Sequence, residues 1–213
     1  MGYGRSVLVT VLLSLLVAAG AIGTSAYLRT RSAAQAPPSG SSAAPPVTSE
    51  TCRAEPCQVV ATATLGSTKI DLITDAQGAR LKIGDDRVVE SRLPGRGAKL
   101  AANSLDCVAG TLSACLVRGD LDNGTVGEVI VGRSGKWNAT TPTYFSNADY
   151  LSLVNVLGDG APEVVTVQRG YFAQVFDVEK GNDLGCTANV PKPDRLPGWP
   201  TVKPDQHQLK PCQ

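Results

Sequence analysis

Residues Val7 to Leu28 read VLVTVLLSLLVAAGAIGTSAYL, a run of 22 residues without a charge. As a helix rising about 1.5 Å per residue it is roughly 33 Å long, the thickness of a bilayer core. The sequence therefore predicts that residues 30–213 lie on the far side of a membrane. Two readings of the run stand side by side. An uncleaved anchor uses all of it, with Tyr27 at the interface and Arg29 and Arg31 stopping the helix outside. A cleaved signal peptide uses Arg5 as its positive end, Val7 to Val17 as its apolar region, and a cleavage site at Ala19-Gly20-Ala21 or Thr24-Ser25-Ala26. The expected location is the cell membrane, single-pass, with an extracytoplasmic C-terminal domain; the alternative is secretion.

The next stretch, Thr30 to Thr51, is rich in Ala, Pro and Ser and has no apolar period. It cannot bury enough surface to offset the entropy of ordering it, so it reads as a disordered stalk kept partly extended by Pro37-Pro38 and Pro45-Pro46. The expected organisation is thus 1–29 anchor or signal peptide, 30–51 linker, and 52–213 folded domain, with a Pro-rich tail from about 186.

All six cysteines follow residue 51. In an exported domain an even number points to disulfides, and the spacing favours Cys52 with Cys57, Cys107 with Cys115, and Cys186 with Cys212. Zinc would need closely spaced Cys pairs or several histidines, and the chain has one, His207. Of 20 Lys and Arg, Arg5, Arg29 and Arg31 precede Cys52; of 19 Asp and Glu only Glu50 does, leaving 17 basic and 18 acidic residues in the domain. A near-neutral domain without a basic run argues against nucleic acid as a partner.

From Cys52 onward, short runs rich in Val, Ile and Leu alternate with Gly, Asp, Asn and Pro, the texture of an all-β fold. Strands are predicted at 58–65, 69–74, 79–83, 87–91, 114–121, 128–132, 150–157, 163–168 and 171–178, and residues 98–105 are the one helical candidate. None of the strands alternates cleanly. Three segments also align on an acidic residue followed by a β-branched run: 63–71 before LIT, 120–128 before VIV, and 155–163 before VVT. Each is expected to be a strand, turn, strand unit, with Asp71, Glu128 and Glu163 in equivalent turns.

The segment NVLGDGAPE at 155–163, followed by VVTV, resembles the FG-GAP or VCBS type of repeat of integrin-α-like β-propellers, whose blades carry an Asp-rich calcium loop between two strands. The resemblance implies antiparallel, blade-like units, a small or incomplete propeller. It also implies a weak calcium site as the single cofactor to consider. The oxygens carried over are Asp120, Asp122 and Glu128 in the second unit and Asn155, Asp159 and Glu163 in the third. Leu157 and Gly124 stand where the pattern has oxygen ligands, and the first unit keeps only Asp71 with Ser67.

Catalytic residues are not identified. His207 sits in an extended, Pro-rich stretch, six cysteines are expected to be paired, and GDLDNG and GDGAPE lack the lysine of a phosphate loop. Trp137 and Trp199 read either as core edges or as exposed binding platforms. The functional expectation is a non-enzymatic domain that binds a partner protein or an envelope component. A hydrolase using a carboxylate pair is the alternative.

Overall fold

A computed structural model describes residues 51–212. The anchor or signal peptide and nearly all of the linker lie outside the described residues, among which no helix is long and apolar enough to cross a membrane. Among the described residues twelve strands form three four-stranded antiparallel sheets, each a meander in chain order. Sheet 1 is β1 (Gln58–Leu65), β2 (Thr68–Asp75), β3 (Gly78–Ile83) and β4 (Arg87–Ser91). Sheet 2 is β5 (Leu105–Val108), β6 (Ser113–Leu121), β7 (Gly124–Arg133) and β8 (Lys136–Ser146). Sheet 3 is β9 (Leu151–Val154), β10 (Glu163–Gln168), β11 (Phe172–Asp177) and β12 (Asp183–Cys186).

The first strands begin at residues 58, 105 and 151, so the sheets recur at intervals of 47 and 46 residues. That period is more regular than the acidic anchors suggest, because the anchors are not in phase. Asp71 and Glu163 stand on the second strands of their sheets, whereas Glu128 stands on the third strand of sheet 2. The loop of sheet 2 that matches the other two is 109–112, which carries no acid.

Strands β1 and β5, and β5 and β9, lie close to one another, and the sheets stack face to face. Ile70, Leu72 and Leu81 of sheet 1 pack on Cys115, Val117 and Ile130 of sheet 2. The other face of sheet 2, with Leu116, Val129 and Tyr144, packs on Leu151, Leu153 and Val164 of sheet 3. Sheet 2 is therefore apolar on both faces, and β6 and β7 are buried almost continuously. This is why alternation is weak in the sequence.

The two outer faces are finished differently. Val154, Val165, Val167 and Val175 of sheet 3 are covered by Leu196 and Val202 of the tail, which also pairs through Lys210 with Cys186. On sheet 1 the outer face is polar and is covered in part by the Cys52–Cys57 loop. There the buried Arg80 binds Asp75 and donates to the Thr51 carbonyl at 2.6 Å, while the Arg53 amide donates to Asp75 at 2.9 Å.

All three disulfides join the nearest-neighbour pairs: Cys52–Cys57, Cys107–Cys115 and Cys186–Cys212. Cys107 and Cys115 are direct partners across β5 and β6.

Three strands are additional to those expected. β8 contains Pro142 inside KWNATTPTYFS, which reads as a loop; the proline is accommodated because β8 is an outer strand and its register shifts opposite Glu128 and Ile130. β5 and β12 have four residues each, too few to show a period. The helical candidate 98–105 is absent. A 3-10 helix at Pro94–Arg96 ends at Gly97 (φ 82°), after which Lys99 pairs with Asp120, so tertiary pairing overrides local propensity.

Candidate functional site

The expected second calcium loop is the tight β6–β7 hairpin, in which Leu121 pairs with Gly124. Asp120 is exposed and its carboxylate accepts from the Thr125 hydroxyl at 3.4 Å. Asp122 is fully exposed, 3.7 Å from Lys99. Glu128 lies six residues beyond Asp122, in β7, buried and facing sheet 1, where it accepts from the Arg92 amide at 3.1 Å and from Arg92 Nε at 3.1 Å. These three carboxylates do not converge.

In the third loop the oxygens are close in sequence but committed to the loop's own backbone. Asn155 accepts from the Gly158 amide at 2.7 Å and Asp159 from Ala161 at 2.9 Å. Glu163 accepts from Val156 at 2.6 Å and Leu157 at 3.2 Å. Such bonds close turns, and a calcium ion would need six to eight oxygens free for it. Among the described residues no three His, Cys, Asp or Glu side chains are grouped for a metal.

Glu163 does line a cavity of about 330 Å³ between sheets 2 and 3, with Asp159, Asp177, Glu179, Thr111 and Arg133. Burial pushes the Glu163 carboxyl above the ordinary range, outweighing the two amides that favour its charge. Asp177, its partner across β10 and β11, is held below that range despite its own partial burial, because the amides of Lys180, Glu179 and Asn182 donate to it. The folded state thus holds the Glu163 proton to higher pH than the unfolded chain does. Its contribution to stability falls as pH rises from the ordinary carboxylate range through the raised value. Glu163→Gln, which keeps an acceptor for both amides, is expected to flatten that part of the stability profile; urea midpoints measured between pH 4 and 7 check it. An unchanged slope would show that Glu163 ionises as in water.

The remaining candidates separate cleanly. Trp137 is buried against Gly132, its direct partner in β7, where an added Cβ would come within 2.8 Å of the indole. Trp199 is 42% exposed and its ring lies 6.3 Å from that of Tyr150. His207 is exposed within the 3-10 helix Gln206–Gln208, which Asp205 caps.

A further cleft was not visible in the sequence. It has a volume of about 560 Å³ and is lined by Gln58 and Val60 of β1, the β2–β3 connection Thr74–Gly78, Ser91 at the end of β4, and Arg92, Pro94, Ala98 and Leu100 after sheet 1. It is built where β1 starts and β2 and β4 end. The linker that forms its wall runs on to pair with Asp120 at the corresponding end of β6. A smaller cavity of about 150 Å³ lies at that end, lined by Asn103, Ser104, Arg118, Asp120, Thr125, Asp149 and Tyr150. Asp75, at the rim of the larger cleft, is held well below the usual carboxylate range by Arg80 and by the amide of Arg53. The cleft is lined by amide, hydroxyl, carboxylate and guanidinium groups together with the apolar side chains of Val60, Ala98 and Leu100. No protein-family model, curated protein or solved structure matches the chain.

Proposed function

We propose that the chain is a membrane-tethered or secreted extracytoplasmic β domain that binds a partner protein or an envelope component. The observation that carries this reading is the open cleft of about 560 Å³ formed by the β2–β3 turn and the linker after sheet 1. Three disulfides support an oxidising location outside the cytoplasm. The buried carboxylates support a binding role because each is engaged in holding structure: Asp71 by Thr62 and Lys69, Glu128 by Arg92, and Glu163 by its loop. We read the three stacked meanders, with their near-equal period, as blade-like units of an incomplete propeller, degenerate relatives of the FG-GAP or VCBS repeat. In that reading the tail and the Cys52–Cys57 loop stand where further blades would pack.

The test is retention of envelope material by the full chain in detergent micelles. Ala76→Trp and Gln77→Trp place an indole in the cleft at exposed turn positions. Retention is expected to fall about tenfold, a loss of roughly 1.4 kcal/mol, with an unchanged melting temperature. Retention equal to that of empty micelles would overturn the binding reading. One observation favours a hydrolase instead: Glu163 and Asp177 are shifted in opposite directions across one rung of sheet 3, as paired catalytic carboxylates are. Release of sugar reducing ends by the wild type, abolished by Glu163→Gln, would replace the binding reading with that one.

A further inference from the structure

We infer that the end of sheet 2 nearest β9 carries a saccharide site, built from Tyr150, Trp199, Asp149, Asp120, Asn103 and Arg118. The inference rests on the chain being a binding domain, but it uses a surface separate from the large cleft.

The aromatic part comes from two distant segments. Tyr150 precedes β9, and its hydroxyl accepts from the Val202 amide at 2.8 Å, which ties the tail to this place. Trp199, in the same tail, lies with its ring 6.3 Å from that of Tyr150 and tilted by 38°, and stays 42% exposed. The packing that buries Leu196 and Val202 thus leaves one large ring in water next to Tyr150, which itself lines a cavity. An exposed indole held on a docked tail offers a flat apolar face at small entropic cost.

The cavity beside Tyr150 supplies the polar half. Arg118 is fixed by donating to the Leu151 carbonyl at 2.7 Å and the Asn103 carbonyl at 3.0 Å. A guanidinium has five N–H donors, so three remain. Asp120 and Asp149 are exposed carboxylates at the rim, and Asp149 enters none of the ion pairs among the described residues. Asp149 holds φ at 58°, a conformation that costs a non-glycine residue energy. Carboxylates that accept, a guanidinium that donates, an amide that does both and an aromatic face match the alternating hydroxyls and C–H face of a pyranose ring. The volume of about 150 Å³ suits one ring. With two carboxylates against one arginine, a neutral or N-acetylated sugar is favoured over an acidic one.

The experiment uses the full chain in detergent micelles and follows tryptophan fluorescence, since Trp137 is buried and Trp199 is the exposed reporter. The probes are neutral trisaccharides of N-acetylglucosamine and of glucose, the trimer of galacturonic acid, and a lysine-containing tripeptide. A saturable change with a neutral trimer, absent with the acidic trimer, is expected. Asp149→Gly removes the carboxylate and suits the positive φ, so its melting temperature should be unchanged or raised while affinity falls about tenfold. Trp199→Ala, followed by titration calorimetry because the fluorescent reporter is gone, should lose binding. No response to either neutral trimer, a response only to the tripeptide, or undiminished affinity in Asp149→Gly would overturn the inference. If envelope material is still retained in that case, the binding reading survives without the saccharide; if it is not, both fall.

Discussion

Replacing Cys186 and Cys212 together by alanine is expected to lower the free energy of unfolding by about 3.5 kcal/mol, the loop-entropy value for their separation of 26 residues. The same relation gives about 2 kcal/mol for Cys52–Cys57 and about 2.5 kcal/mol for Cys107–Cys115. The tail disulfide should matter beyond its entropy, because it holds in place the tail residues that cover the outer face of sheet 3. Leu196 and Val202 are 3% and 0% exposed against Val165, Val167 and Val175. An undocked tail would present those valines, and the outer strand β12, as a template for aggregation. Two measurements check this. The urea midpoint should fall at an unchanged slope, and trypsin should cut after Arg195, where the next residue is Leu196 and not proline, under conditions in which the wild type resists. If the midpoint falls but the tail stays protected, the apolar contacts alone dock it. An unchanged midpoint would mean that the unfolded chain is already confined.

Much of the fold was legible because strand and turn chemistry are local. QVVATATL, RVVES and EVVTVQ become β1, β4 and β10 with the boundaries that their Gly, Asp and Pro neighbours suggest. The disulfide pairing was legible for a similar reason: each bridge joins the cysteines nearest in sequence, at separations of 5, 8 and 26 residues, and Cys107 and Cys115 face each other across one hairpin. What failed was phase. A Gly- and Asp-containing turn before a β-branched run occurs at several places in a meander, so aligning on Glu128 chose the second hairpin of sheet 2 where the other units use the first. The spacing of whole sheets carries the period, and it was hidden because β5 and β12 are short and β8 contains Pro142.

The site was less legible than the fold, since it is assembled from groups far apart in the chain. Nothing local marks Gln58, Gln77, Ser91 and Leu100 as neighbours; they meet because β1, β2 and β4 begin or end at one edge. Nor does the sequence distinguish an oxygen aimed at a ligand from one aimed at its own backbone. Asn155, Asp159 and Glu163 have the right chemistry for an ion and spend it on Gly158, Ala161 and Val156. Trp137 and Trp199 were equivalent candidates by composition. Gly132 decides between them, because only a glycine directly opposite Trp137 leaves room for its ring inside sheet 2.

Arg92→Ala is the second substitution expected to have a large effect, about 2 to 3 kcal/mol of destabilisation. Arg92 lies in the linker after sheet 1, yet it binds Glu128 of β7 and donates to the carbonyls of Thr140 and Thr141 in β8. Those carbonyls sit at the register shift where β8 departs from β7, so one guanidinium joins two sheets and satisfies an outer strand at its irregularity. Glu128 is 3% exposed, and removing its partner leaves a buried carboxylate held by the residue 92 amide alone. The Arg92 side chain is 44% exposed, which places the cost below the usual 3 to 5 kcal/mol for breaking a fully buried pair. Arg92→Lys should recover less than half of the loss, because an ammonium cannot reach a carboxylate and two carbonyls in the fork that arginine provides. In Arg92→Ala/Glu128→Gln the orphaned charge is gone, so the double variant should be more stable than Arg92→Ala by about 1 kcal/mol or more. Urea unfolding of the wild type, Arg92→Ala, Glu128→Gln and the double variant measures the cycle. Arg92 also lines the large cleft, so a cost below about 0.5 kcal/mol, the size of an ordinary surface substitution, would mean that cleft water rehydrates Glu128. The cleft would then reach the interface between sheets 1 and 2, and its floor would be polar where Glu128 stands.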